Sequence, residues 1–538
     1  MKAFLLYRTY DPAPPADLPA NAPDIIGDLA LAPVIEAMAR GDEFLRDVSL
    51  RTVLAGMREP DEIIYRQQVL LDCLEHPATV RKLYGLAVEA VEAEKKIYRS
   101  IFNNYPAAVL SRSIESLNAL MVVLRELRRL AGASRGHFAS PGMNRFLTMI
   151  TDELNDEYFD AVDVHLRRLK FRGGVEISAG LGVANEGTGY RLRRSEAIPG
   201  GKLQRLLRQW FVPDRSALSF QIPDRDEGGY RALSALRDRG LNLAANALAQ
   251  ADDHIVDFFT ALRNELGFYI GCLNLREQLE TVGAPLCIPK PESYEAGKAP
   301  VCSARALSDP TLALAGTNVT GNDLPADGKR IVIITGANQG GKSTFLRAVG
   351  LAQLMMQAGM FVCADYFSST PCDSLHTHFK REEDASLTSG KLDEELARMD
   401  TIACRLTSSS MVLFNESFAA TNEREGSGIA RDVIFALAES GVRVFFVTHM
   451  FDLAHSLFTR HLPGALFLQA ERREDGRRTF KLQQGEPTPT SYGKDLYLRI
   501  FKDQHGPADP GNTVDTDAVT DERTAAPPVV ATGTQRTS

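Results

Sequence analysis

The stretch Gly336-Ala337-Asn338-Gln339-Gly340-Gly341-Lys342-Ser343 narrows the folds open to this chain more than any other. It follows an apolar run, Arg330–Thr335, and opens a helical pattern. A glycine-rich turn between a strand and a helix, ending in Lys-Ser, is the P-loop pattern. The glycines let backbone N–H groups curl around phosphate oxygens at a helix N-terminus. Lys342 can then reach the β- and γ-phosphates, and the Ser343 hydroxyl can ligate Mg²⁺. A chance match in a glycine-rich turn is the bland alternative, and the strand before and helix after weigh against it. Residues Gly336 to Thr344 are therefore expected to hold a nucleotide.

The surrounding text supports a mostly parallel α/β sheet. From about Pro285 to Lys502, apolar strands at Arg330–Thr335, Met411–Phe414 and Val442–Thr448 are each followed by a loop and a helical pattern. The second strand ends in Asn415-Glu416, and a carboxylate there can orient an attacking water and accept its proton. Its alternative is a strand-terminal acid pointing to solvent. Thr448-His449 ends the third strand, where His449 either senses the γ-phosphate or is a satisfied histidine at a sheet edge. His376 and His378 have no partner at ligand spacing and belong to a strand or loop rather than a metal site.

The 538 residues exceed what one core usually organises, so two or more domains are expected. Apolar runs such as Ile331–Ile334 and Val444–Val447 fall far short of the roughly 20 residues of a membrane helix. Met1–Tyr10 lacks a signal-peptide core. The seven cysteines include no Cys-x-x-Cys pair. A cytoplasmic protein with reduced thiols, no membrane association and no structural metal is expected.

A net charge of −8 excludes a chain that coats nucleic acid over its whole surface, yet leaves a local patch open. Between Leu166 and Arg215, eleven Lys and Arg face four acids. Arg167, Arg168, Lys170, Arg191, Arg193 and Arg194 are the candidates there for contact with DNA phosphates; a solvated charge run is the alternative. From about Asp28 to His165 the pattern is helical, with punctuation at Pro60-Asp61-Glu62 and His76-Pro77. One apolar stripe runs from Ile114 to Leu127 and another from Ile255 to Leu273. They suit either two paired helices of an arm or plain core helices. Between them Val175–Ser178 and Tyr190–Arg194 suggest a short β insert. The expected organisation is a helical region at 1–165, the basic β-containing insert at 166–225, a helical arm at 226–284, the α/β domain at 285–502 and a disordered acidic tail at 503–538.

Taken together, these motifs resemble the MutS family. The run Ile334-Thr335-Gly336-Ala337-Asn338-Gln339-Gly340-Gly341-Lys342-Ser343-Thr344-Phe345-Leu346-Arg347 is similar to that family's P-loop, with its Thr-Gly, its Asn and the paired Gly before Lys. Gly321-Asn322-Asp323, Ser389-Gly390-Lys391, Asn415-Glu416, Thr448-His449 and Ser491-Tyr492-Gly493 match further motifs in order and approximate spacing. The likeness covers about Val319 to Phe501. A weaker likeness to the helical core runs through Pro60-Asp61, Ile63, Arg66 and Val69.

The resemblance implies a C-terminal P-loop ATPase domain of the ABC type, preceded by a mainly helical core and lever-like region. It implies ATP and Mg²⁺ as cofactors, Val319 and Asn322 beside the nucleotide, Ser343 and Asn415 at the metal, and Glu416 and His449 in catalysis. It also implies a homodimer closed head to tail, with Ser389, Gly390 and Lys391 reaching the partner's nucleotide and paired arms embracing double-stranded DNA.

The chain departs from the family pattern at several positions. Asn415 stands where a Walker B Asp is usual, and Leu392-Asp393-Glu394 follows the signature triplet in place of Ser-Thr. Val319 takes the position of an adenine-stacking ring. The one Phe-x-Glu, the spelling of the family's mismatch wedge, is Phe414-Asn415-Glu416. These features, with little room for a mismatch-recognition domain before the core or a nuclease-like domain after Lys502, lead to the expectation of a compact paralogue. It would clamp branched or other non-mismatch DNA in an ATP-gated way. A nucleotide-gated protein scaffold or regulator with little DNA binding and slow turnover is the alternative.

If the basic segment lies against a duplex, its Lys and Arg release counterions from phosphates. Replacing Arg167, Arg168, Arg191 and Arg194 by Gln should then weaken binding to every DNA sequence alike and lower the slope of log affinity against log salt by up to about 3 to 4. Salt-titrated binding checks this, and an unaltered slope in the quadruple variant would assign the patch to solvated surface.

Overall fold

Prolines and short polar side chains set the beginnings of the N-terminal helices. The computed structural model describes residues 1–10, 18–97, 105–171, 174–193, 222–223, 225–294, 300–337, 339–381, 390–472 and 478–488. After α1 (Ala22–Asp28), α2 (Ala32–Ala39) and α3 (Glu43–Ala55) come α4 (Pro60–Glu75), α5 (Pro77–Lys96), α6 (Pro106–Ala133) and α7 (Pro141–Glu153), each opening on Pro. A proline there loses nothing, because the first N–H groups of a helix have no partner within it. Asp42 caps α3 by accepting from the Phe44 and Leu45 amides, and Asn155 caps α8 (Asp156–Leu169) through the Tyr158 amide.

The two apolar stripes are buried on α6 and on α9 (Glu227–Thr281), and these two helices pack against each other. At 55 residues α9 is about 80 Å long. Its start meets the antiparallel pair β1 (Ile177–Leu181) and β2 (Gly187–Leu192), and its C-terminal part packs on α2 and α3. The hairpin strands are displaced from the positions expected from sequence. β1 starts at Ile177 and β2 ends at Leu192, with an irregularity between Ser178 and Gly180. The glycine-rich run itself joins the ladder, since residues without a Cβ leave the strand period illegible in sequence. By length and composition α6 could cross a membrane, but half of its most apolar window is buried inside the protein. That is the composition of a core helix read without its partners.

Two sheets follow. The small one has the order β3 (Lys290–Pro291), β7 (Tyr366–Ser369), β4 (Cys302–Leu307), β5 (Asn322–Pro325). The larger one has the order β12 (Arg478–Gln484), β11 (Ala465–Arg472), β6 (Ile331–Thr335), β10 (Arg443–Val447), β9 (Met411–Asn415), β8 (Leu375–Phe379). Every pairing in it is parallel except that of β11 with β12. The strand pleat divides the core. Val332, Ile334, Leu413 and Val447 join the cluster shared with the helical region, whereas Ile331, Ile333, Val412, Phe414 and Phe446 face the other way. The remaining helices are α10 (Pro310–Leu314), α11 (Lys342–Gln357), α12 (Lys391–Ala403), α13 (Glu423–Glu439) and α14 (Phe451–Thr459). All seven cysteines are free.

The glycine-loop helix α11 connects this sheet to the helical region. At its C-terminal end Gln357 exchanges two hydrogen bonds with Met57: the Met57 amide donates to Gln357 O (2.8 Å), and Gln357 Nε2 donates to Met57 O (3.0 Å). Arg66 is buried beside it and donates from one guanidinium arm to Ala358 O (3.1 Å) and from Nε to Leu6 O (3.1 Å). Gly359 has φ +73°, and a Cβ there would lie 2.9 Å from the Arg66 side chain. Arg66→Met keeps most of the volume but leaves two buried carbonyls unpaired, which should cost about 3 kcal/mol. An unchanged urea midpoint for this variant would show that those carbonyls are satisfied some other way.

Candidate functional site

The glycine loop is pressed onto β11, which explains its composition. Gly336 has φ +124°, and a Cβ there would lie 2.7 Å from the Ala470 Cβ. At Gly340 a Cβ would meet Ala337 O at 2.9 Å and Ala470 at 3.0 Å, and Gly341 caps α11 at φ +86°. No side chain fits the first two positions, and only glycine adopts the first and last without strain. Gln339, at φ 61°, is exposed and accepts a hydrogen bond from Arg478 at 2.6 Å. Asn338 lies outside the described residues.

Lys342, the first residue of α11, is buried, and its ammonium donates to Gly336 O (2.8 Å) and Ala337 O (3.0 Å). Burial pulls it below the ordinary lysine range, and the negative charge of Glu416 opposes that pull. The next residue, Ser343, donates from Oγ to Asn415 Oδ1 at 2.8 Å. The two residues expected at a metal are thus side by side at the ends of α11 and β9. An alcohol and a carboxamide oxygen suit a hard cation such as Mg²⁺, although neither brings charge to it. Thr344 follows, half-buried in the first turn.

Glu416 comes directly after β9. Its amide extends the ladder to Val447 O (2.9 Å), and its φ of 55° turns the chain out of the sheet. The carboxylate lies 3.8 Å from His449 Nδ1, beyond direct hydrogen-bond distance. His449, with Lys342 and Lys380, holds the Glu416 carboxyl below the usual carboxylate range against the opposing effect of burial. Thr448, fully buried, accepts from the Met450 amide and donates its own amide to Ile334 O. That pairing fixes His449 at the end of β10.

Behind Glu416 stands a buried polar group that was illegible in sequence. His378 on β8 contacts Ser417 Oγ through Nδ1 (2.7 Å) and Glu395 O through Nε2 (3.0 Å). The carbonyl can only accept, so a neutral His378 carries its proton on Nε2. His376 is on the same strand, 3.1 Å from Ser374 Oγ. Both histidines have hydrogen-bond partners within the protein.

Val319 is half-buried against the core upstream of β5. The Asn322 amide bridges to β12, donating to Phe480 O (3.0 Å) and accepting from the Leu482 amide (2.7 Å). That bridge holds Phe480, the one aromatic ring in β12, at φ 58° and 47% exposed. Its side chain would be 3.7 Å from a Cβ on Gly341. An exposed ring at the edge of the glycine loop is a site feature that the sequence did not announce, because only the fold of β12 over the loop brings it there. Gly390 and Lys391 open α12, while Ser389 and Arg194 lie outside the described residues. Arg167, Arg168, Lys170, Arg191 and Arg193 are all exposed, and among the described residues none forms an ion pair with an acid. Arg167 donates to Asp163 O, and Arg193 to Ser178 Oγ.

The structure thus defines an α/β protein with a glycine loop and a buried lysine at the carboxyl end of parallel strands, faced by a strand-terminal carboxylate. The family model for the MutS2 N-terminal domain matches residues 58–282, and that for MutS domain V matches residues 332–496. The DNA mismatch repair protein MutS of Thermotoga maritima is 33% identical over 180 residues, 33% of this chain and 22% of the relative. MutS protein homolog 4 of Mus musculus is 30% identical over 188 residues, 35% of this chain and 18% of the relative. Each match therefore spans about a fifth of the relative's length. The chain belongs to the MutS family.

Burial, with Arg398 nearby, brings the His378 imidazole down from 6.5 to about 4. Between those values the unfolded chain binds a proton that the folded chain refuses, so stability falls as pH falls through this window, by about 3 kcal/mol in all. A His378→Gln variant should show a flatter dependence of urea midpoint on pH between about 6.5 and about 4. Superimposable profiles would exclude His378 as the titrating group.

Proposed function

We propose that this chain binds and hydrolyses ATP in an ABC-type P-loop domain at about residues 285–502, and couples that cycle to binding double-stranded DNA as a homodimer. The observation that carries the reading is the convergence of Lys342, Ser343, Asn415, Glu416 and His449 at the ends of α11, β9 and β10 around one glycine loop. In this reading the Gly336–Thr344 backbone and Lys342 hold the phosphates. Lys342 gives up the Gly336 and Ala337 carbonyls for phosphate oxygens, and the Phe480 ring packs on the base. Glu416, kept ionised by His449 and Lys342, orients water toward the γ-phosphate and accepts its proton. His449 stabilises the charge that develops on the phosphoryl oxygens. Ser343 and Asn415 would hold Mg²⁺, which neutralises phosphate charge when bound. With a neutral Asn415 in that shell, slow turnover is expected.

The DNA reading rests on the exposed basic residues at the end of α8 and on the β1–β2 hairpin, which form no ion pair among the described residues and can neutralise phosphates without reading bases. The helical regions at 1–165 and 226–284 would carry the basic insert at 166–225. Branched or other non-mismatch DNA is the favoured substrate because the one Phe-x-Glu in this chain lies at the end of β9, with Phe414 fully buried. Gly390 and Lys391, at the start of α12, would close on the partner's nucleotide, and the dimer would be gated by ATP.

Glu416→Gln should keep ATP affinity and lower hydrolysis by about 100-fold, within the range of a lost general base. Asn415→Asp should tighten the Mg²⁺ dependence of nucleotide binding. Undiminished hydrolysis in the first variant would sink the role of Glu416, and an unchanged Mg²⁺ titration in the second would remove Asn415 from the metal shell.

A further inference from the structure

The chain around Glu416 is held in an unfavourable conformation. Both Glu416 (φ 55°) and Phe418 (φ 62°) are left-handed, a region that non-glycine residues seldom occupy because it crowds the Cβ. Such a conformation persists only when its surroundings over-determine it. Here they do so from three sides. The Glu395 carboxylate accepts the Phe418 amide through Oε2 at 2.6 Å. A Cβ on Gly426 of α13 would lie 2.3 Å from Phe418 O, so α13 closes on the carbonyl of the next peptide. The His378 ring stacks on Phe418 with centroids 5.2 Å apart, while its Nδ1 meets Ser417 Oγ.

Glu395 is an unusual residue to find there. It is 6% exposed, and its second oxygen, Oε1, is buried without a hydrogen-bond partner. Leaving a carboxylate oxygen unpaired costs stability, so packing alone does not explain an acid at this position. It lies one helical turn after Lys391, the first residue of α12. The carbonyl of the same residue accepts from His378 Nε2 on β8, so the side chain of Glu395 grips the segment that follows β9 directly and its main chain reaches it through His378, whose Nδ1 meets Ser417 Oγ.

We propose that Glu395 is a positioning residue that couples the start of α12 to the backbone of Glu416, so that movement of the Gly390-Lys391 end of α12 sets or releases the carboxylate facing His449. The inference rests on the reading of Glu416 as the group that orients water, and it extends that reading to the regulation of the site. Closure of a partner's nucleotide on Gly390 and Lys391 would reach Glu416 through a single turn of helix and one charge-assisted hydrogen bond. Glu395 touches neither nucleotide nor water in this scheme. It acts by selecting the conformer of residues 416–418.

The test uses the full-length purified chain. Glu395→Leu fills similar space but accepts no hydrogen bond. It should lower kcat for ATP hydrolysis about tenfold or more while ATP Kd stays within about twofold. Glu395→Gln keeps an oxygen for the Phe418 amide and should hold kcat within about threefold of the parent. An unchanged kcat in Glu395→Leu, or an equal loss in both variants, overturns the proposal. Glu416→Gln separates the two levels: hydrolysis surviving there removes the role of Glu416, whereas hydrolysis lost there but kept in Glu395→Leu removes only that of Glu395. If the Leu variant does not fold, hydrogen exchange on the unmutated protein decides. Amides of residues 391–400 and 416–420 should gain protection together when a non-hydrolysable ATP analogue is added, and protection confined to one segment overturns the coupling.

Discussion

The structure depends on the burial of α11 beyond its first turn. From Phe345 to Gln357 nearly every side chain of this helix is enclosed, and Gly350 allows Leu29 and Leu413 to approach where a Cβ would lie 2.7 to 3.0 Å from them. One end of the helix presents Lys342 and Ser343 to the glycine loop. The other end is bonded to Met57 and, through Ala358, to Arg66. A buried helix in a close-packed core does not slide without moving what surrounds it. The buried helix therefore joins the loop to the α3–α4 junction, and Arg66 joins that junction to the N-terminal segment through Leu6.

That N-terminal segment shows how the same constraint is met without a sheet. Residues 4–6 satisfy their backbone groups with side chains: Glu265 accepts from the Leu5 and Leu6 amides, Tyr269 donates to Leu5 O, and Tyr65 donates to Phe4 O. Buried polar groups must be paired wherever the chain runs. Here the partners come from α4 and α9, so the first residues hold those two helices together.

At the site, desolvation and charge act in opposite directions on neighbouring groups. Burial weakens the hold of Lys342 on its proton, while His449 and the two lysines keep Glu416 ionised. Asn415 removes one negative charge from this group. In the proposed reading, the site would therefore offer phosphate a more positive environment, and a divalent cation a less attractive one, than a carboxylate at position 415 would give. The left-handed turn at residues 416–418 adds stored strain, held by Glu395 and His378, immediately behind the carboxylate.

Much of this was present in the sequence because it is local. A glycine loop between an apolar strand and a helix is written in consecutive residues, as are the proline starts of α4 and α5 and the strand ending in Asn415-Glu416. Backbone sterics, strand periodicity and helix capping act over a few positions, so residue order alone determined them. The strands of the β1–β2 hairpin were misplaced by a few residues because glycines carry no side-chain pattern. Tertiary structure decided what depends on residues far apart in the chain. It paired Ser343 with Asn415, bridged Asn322 to β12 so that Phe480 sits at the loop, joined Arg66 to Ala358, and set Glu395 against the Phe418 amide. These contacts exist because burial leaves a polar group only the partners that the fold brings within hydrogen-bond reach, and no local pattern records which partners those are.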